Sequence, residues 1–125
     1  MEWSARDVLG YDIPIRLLRV PYGHSTVGGL SLRHASKMGY LWIDWNATND
    51  DATGEEVTDR RMVSAAVSPI GKLNRVVLLI HENKKQTVRT LPEIIERYLE
   101  AGYVFRPLTA NMEPIPGVPM GTPSP

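Results

Sequence analysis

Apolar positions along the chain change period repeatedly and in a regular order. Ile15-Arg16-Leu17-Leu18-Arg19-Val20 reads as a strand halted by Pro21. Leu30, Ala35 and Met38 follow at roughly helical spacing, with Gly39 placed to end that helix. Tyr40-Leu41-Trp42-Ile43-Asp44-Trp45 is aromatic and β-branched, a second strand, and the polar stretch Asn46 to Gly54 reads as a loop. Val57, Arg61, Met62 and Ala65 suggest another helix, with Thr53 or Gly54 near its start and Pro69 beyond its end. Arg75 to Ile80 is a third strand, whose Val-Val-Leu-Leu-Ile run suits burial on both faces.

The clearest helix comes next. Val88, Leu91, Ile94, Ile95, Tyr98 and Leu99 form one stripe, with Glu93, Glu96, Arg97 and Glu100 on the opposite face. Thr90 and Glu93 have capping-box spacing around a first-turn Pro92, although Val88 points to an earlier start. Gly102 terminates it, and Val104-Phe105-Arg106 is a short fourth strand. The resulting order, β-α-β-α-β-α-β, predicts an α/β fold with parallel strands and right-handed crossovers, without internal repeats. Beyond Leu108 five prolines and two glycines mark a tail, residues 109–125, expected to lack packed structure.

Composition narrows the class. A chain of 125 residues, 42% hydrophobic and 22% charged, has the profile of one ordinary globular domain. Fourteen basic residues balance fourteen acidic ones, which argues against nucleic acid or an anionic membrane surface as partner. The longest aliphatic run, Val76 to Ile80, falls far short of the roughly 20 residues that span a bilayer. No basic segment followed by an apolar stretch opens the chain, so no signal peptide is expected. Zero cysteines exclude disulfides, thiolate metal sites and cysteine nucleophiles, without fixing the compartment.

In parallel α/β folds functional groups gather beyond the carboxyl ends of the strands. Here those ends carry Arg19-Val20-Pro21-Tyr22-Gly23, then Asn49-Asp50-Asp51, then His81-Glu82-Asn83. An arginine, a carboxylate pair and a histidine are thereby expected at one rim. Each also has a structural reading: His81 as a hydrogen-bonding residue, Arg19 as a strand-end partner of Asp44 or Asp51, and Asp50 and Asp51 as a solvated turn or helix cap. Trp42 and Trp45 serve packing, Trp45 being better placed to line a sugar-sized pocket. His24 and His34 read as surface or helix residues.

Taken together, these segments resemble the second half of the NodB-homology polysaccharide deacetylases, peptidoglycan N-acetylglucosamine deacetylases above all. The resemblance rests on Arg19-Val20-Pro21-Tyr22-Gly23, on Tyr40 to Asn46 with Asp51 downstream, and on Val77-Leu78-Leu79-Ile80-His81. It extends from about Val8 to Leu108, through Leu91-Pro92-Glu93-Ile94-Ile95 and Gly102-Tyr103-Val104-Phe105. It implies residues 1–108 as part of a deacetylase domain, the C-terminal half of a distorted (β/α) barrel. It also implies an extracellular or cell-wall setting and N-acetylated glycan as substrate.

The family removes acetyl groups with water bound to a divalent metal, usually zinc, helped by a carboxylate base. By resemblance Tyr22 would supply the backbone N–H that stabilises the oxyanion, and His81 would protonate the departing sugar amine. Asp51 would orient His81 and favour its protonated form. Arg19 would pair with the catalytic base. Leu79 would wall the pocket for the acetyl methyl, with Trp45 and Pro21 as further pocket residues.

The departures are equally specific. The family's aspartate pair and H-x-x-x-H metal motif both precede the Arg-x-Pro-Tyr segment. Only eighteen residues precede Arg19, and they contain neither a histidine nor an Asp-Asp pair. His24, His34 and His81 are too scattered to replace the motif, and Ala52 stands where many members have a pocket tryptophan. The chain by itself is therefore expected neither to hydrolyse acetylated sugars nor to bind zinc tightly. Its sheet would keep open edges near Leu17 and Phe105, which favours self-association or association with an N-terminal half. The rival reading is a non-catalytic half-domain acting in glycan binding or oligomerisation.

Overall fold

The computed structural model describes residues 5–11 and 16–121. Its elements are α1 (Ala5–Leu9), β1 (Leu17–Leu18), a 3-10 turn (His24–Thr26), α2 (Gly29–Lys37), β2 (Leu41–Ile43), β3 (Ala47–Thr48), α3 (Asp59–Val67), β4 (Leu78–Leu79), α4 (Lys85–Glu100) and β5 (Met120–Gly121). Strands and helices alternate from β1 to α4 largely as the apolar pattern predicts. Ile15, expected to open the first strand, and residues 122–125 of the tail lie outside the described residues.

The second strand is shorter than the expected Tyr40–Trp45, and a further strand follows it. β2 runs parallel to β1, with Leu17 opposite Leu41 and Leu18 opposite Trp42. The chain then bends at Asp44–Asn46, and β3 continues parallel to β4, with Ala47 opposite Leu78 and Thr48 opposite Leu79. Asn46 makes the bend possible. Its side-chain oxygen accepts the Val77 N–H at 2.8 Å and its amide donates to the Arg75 carbonyl at 3.0 Å, so a side chain performs the ladder's task. The expected loop from Asn46 to Gly54 thus begins with a strand.

The described strands form two sheets, β1-β2-β5 and β3-β4, and the first is not wholly parallel. β5 lies antiparallel against β2, with Trp42 opposite Gly121 and Ile43 opposite Met120. It comes from the Pro/Gly-rich segment, which packs instead of remaining without structure. Ile115-Pro116-Gly117-Val118 forms a turn closed by the Val118 N–H on the Ile115 carbonyl at 3.1 Å, with Gly117 at φ 75°. Proline followed by a left-handed glycine is the type II pattern. The turn points Ile115 and Val118 inward against Leu41 and Ile43, where all four are buried. Conversely, Val104-Phe105-Arg106 is not a strand. It is exposed, with Phe105 set edge-on to Tyr98.

A second core lies between α3 and α4, where Val63, Ala66, Ile94 and Tyr98 are buried and Val76, Leu78 and Tyr103 pack around them. α3 starts later than the Thr53/Gly54 reading: Thr58 caps it, its hydroxyl accepting the Arg61 N–H at 3.2 Å. α4 starts earlier than the Thr90 capping box. Thr90 lies inside the helix, donating to the Gln86 carbonyl at 2.8 Å, and Pro92 sits on the exposed side of the same helix. None of the described helices is long and apolar enough to cross a membrane.

Candidate active site

β3 and β4 run side by side, so the segments leaving their carboxyl ends emerge together. After β3 the chain enters a tight turn in which Asp50 adopts φ 62° and donates its N–H to the Thr48 hydroxyl at 3.0 Å. Asn49, fully buried, takes the Asp51 N–H on its side-chain oxygen at 3.2 Å. Asp51 is thereby turned inward, its side chain only 2% exposed. After β4 the chain arrives at His81, whose N–H donates to Asp51 Oδ2 at 2.8 Å and whose Nδ1 lies 2.7 Å from Asp51 Oδ1.

The first turn of α4 supplies the remaining partner. The Thr87 hydroxyl donates to Asp51 Oδ2 at 2.6 Å and accepts from the Asn49 amide at 3.0 Å. Asn49, Asp51 and Thr87 therefore close a ring of hydrogen bonds beneath the imidazole. Burial by itself would push the Asp51 carboxyl up; the bonds from Thr87 and from the ring and N–H of His81 outweigh it and hold the group below its ordinary value. An ionised Asp51 can only accept, so His81 Nδ1 must carry a proton, and Nε2 becomes the nitrogen that gains or gives one.

Beside this pair is a cavity of about 360 Å³ whose wall includes Arg19, Asp44, Trp45, Leu79, Ile80 and Leu108. Leu79 and Trp45 thus share a hollow, and Arg19 reaches it. Arg19 forms no ion pair or hydrogen bond among the described residues, so neither Asp44 nor Asp51 is its strand-end partner. Asp51 and His81 do not line the hollow; His81 follows directly on Ile80, which does. Pro21 and Tyr22 lie in an exposed turn after β1 and are not part of the wall either. Tyr22 holds a left-handed backbone, φ 63°, and is 88% exposed.

Sequence reasoning missed Asn49 and Thr87, and it also missed a second acid–imidazole pair. His24, read as a surface residue, has Nδ1 2.6 Å from Asp44 Oδ2, and its ring stacks on Trp42 with centroids 5.2 Å apart. Thr87 and Thr90, three apart on the buried face of a strongly amphipathic helix, were the available signal for a polar ring. Among the described residues no three His, Asp or Glu side chains gather as a metal site.

No protein-family model matches the chain. It is 26% identical over 119 residues, 90% of its length, to YheN of Bacillus subtilis (strain 168), whose name provisionally assigns it to the polysaccharide deacetylases. It superimposes with a TM-score of 0.70, at 26% identity over 85% of its length, on the catalytic domain of peptidoglycan N-acetylglucosamine deacetylase from Eubacterium rectale ATCC 33656. The chain spans 40% of the first protein and 51% of the second. In sequence and in fold it resembles part of a polysaccharide deacetylase, the family indicated by its three strand-end segments.

Proposed function

We propose that the chain provides the general-acid and oxyanion side of a carbohydrate N-deacetylase acting on peptidoglycan or chitooligosaccharide. The observation that carries this reading is the double attachment of His81 to a buried, ionised Asp51, which leaves Nε2 as the proton donor. Hydrolysis of an acetamide forms a carbon–oxygen bond from water and breaks the carbon–nitrogen bond. The leaving amine needs a proton, which His81 Nε2–H delivers. The Tyr22 N–H, on an exposed left-handed turn, would meet the carbonyl oxygen as its charge develops. Leu79 and Trp45 would seat the acetyl group and the sugar ring beside Arg19.

The family's divalent metal does not fit these residues, because no three ligating side chains converge among those described. Activation of the attacking water would fall to groups from outside the described residues. The chain is to be mixed with a polypeptide that bears an Asp-Asp pair and an H-x-x-x-H motif, and acetate release from N-acetylglucosamine oligomers measured. Release is expected with divalent metal present and is expected to vanish in His81→Ala. A folded complex that releases no acetate would overturn the reading.

An oligomerisation role has its own support. Val104, Phe105 and Leu108 are exposed beside β4, whose only strand partner among the described residues is β3. Light scattering across a wide concentration range tests it, a monomer throughout being the adverse result.

A further inference from the structure

We infer that Asp44 and His24 form a positioning pair that clamps the Pro21–Gly23 turn and so sets the direction of the Tyr22 N–H. The catalytic meaning of this inference rests on the deacetylase reading; the clamp itself does not.

A tyrosine does not choose the left-handed region unaided, because its Cβ crowds the backbone there, so the surroundings must impose φ 63°. Part of the restraint is local. The Gly23 N–H donates to the Val20 carbonyl at 3.1 Å, and the Thr26 hydroxyl reaches the Pro21 and Gly23 carbonyls at 3.0 and 2.8 Å. These bonds give the turn its shape but do not attach it to the sheet. Asp44 does. Its two carboxylate oxygens accept the His24 N–H at 3.1 and 3.2 Å, and Oδ2 lies 2.6 Å from His24 Nδ1.

Asp44 is a firm anchor. It is buried, it follows β2 directly, and its own N–H donates to the Pro119 carbonyl at 2.9 Å. Trp42 holds the far side of the His24 ring by stacking, the planes 17° apart. Gly23 lies against the anchor: a Cβ there would touch Asp44 Oδ2 at 3.4 Å and the Trp45 ring at 3.5 Å, and its φ of 91° suits glycine. The attachment repeats the Asp51–His81 pattern, one carboxylate engaging both the N–H and the Nδ1 of a single histidine. One such unit would present a proton donor and the other an N–H; Asp44 itself lines the strand-end cavity, as does Ile80, which precedes His81. Small displacements of such groups lower rates steeply.

The test is nuclear magnetic resonance on the chain as it stands, without substrate. The Gly23 amide, which bonds to Val20 and not to Asp44, reports the turn through hydrogen exchange; the three-bond HN–Hα coupling of Tyr22 reports its φ. In Asp44→Ala, Gly23 exchange is expected to rise about tenfold or more while amides in α3 and α4 keep their rates. The Tyr22 coupling should leave its left-handed value. Asp44→Asn, which keeps an oxygen for the His24 N–H, should restore most of both signals. His24→Ala, which loses only the ring contact, should give an intermediate result and serves if Asp44→Ala does not fold. Unchanged Gly23 exchange and Tyr22 coupling in Asp44→Ala would overturn the inference, as would equal acceleration of all amides. Because neither signal involves turnover, failure of acetate release would remove the deacetylase reading and leave the clamp standing.

Discussion

Asp51 and His81, thirty residues apart in the chain, are joined twice, by a backbone N–H and by a ring nitrogen on the two oxygens of one carboxylate. This arrangement constrains the imidazole more than a single bond would. The hydrogen bond from the backbone N–H fixes where the histidine side chain starts, the ring bond fixes its rotation, and Thr87 prevents the carboxylate from turning away.

Asp51→Asn breaks that arrangement. A carboxamide offers one acceptor oxygen and turns an NH₂ toward a donor, so at least one buried group loses its partner. A loss of about 2–3 kcal/mol is expected, read as a lower urea midpoint at unchanged slope. Asp50→Asn is the control: asparagine accepts a left-handed φ, and stability should move by less than about 0.5 kcal/mol.

Acid sensitivity follows from the same bonds. The folded Asp51 carboxyl lies below its ordinary 3.8, and Asp59, held by Arg89 and then Gln86, falls to about 2. Groups depressed by folding stabilise fully above their unfolded value and lose that contribution as pH falls through the folded one. Stability should therefore decline from about pH 4 toward pH 2, and the decline should be shallower in Asp51→Asn. Urea midpoints measured across that range decide it.

At the alkaline end Tyr98 is the sensitive group. Burial first, and Tyr103 edge-on to it second, push its phenol up from 10.0 to about 12. The neutral hydroxyl donates to the Ala66 carbonyl at 2.6 Å. The sign is opposite to that of Asp51: the contribution is complete below pH 10 and is lost as pH rises through about 12. Tyr98→Phe should cost about 1–2 kcal/mol at neutral pH and flatten the alkaline loss, seen in unfolding curves paired with phenolate absorbance.

The proline-rich segment should behave as core. Ile115→Ala is expected to cost about 2–4 kcal/mol, whereas the same change at exposed Glu113 should cost almost nothing. Gly121→Val is a sharper probe, since a Cβ there would lie 1.7 Å from Trp42 Nε1. β5 should detach from β2, with a shift in tryptophan emission and faster exchange at the Asp44 amide, which Pro119 otherwise holds. Unaltered emission and exchange would show that the segment contributes nothing to β2.

What the sequence determined by itself was local and periodic. The stripe of α4, the aromatic run of β2, the glycines that end α2 and α4, and the placing of Asp51 and His81 at neighbouring strand ends were all legible there. Each depends on residues close in the chain, or on a topology rule that local patterns invoke. Tertiary structure decided the rest. Ile115, Val118 and Met120 are too few and too interrupted by proline to announce a strand; their burial depends on a vacant edge of β2, far away in sequence. Val104 and Phe105 have strand-like side chains but pair with no strand among the described residues. The pairings of Asn49 with Thr87 and of Asp44 with His24 were not legible for the same physical reason: a side-chain hydrogen bond is set by a distance in space, and sequence separation carries no record of it.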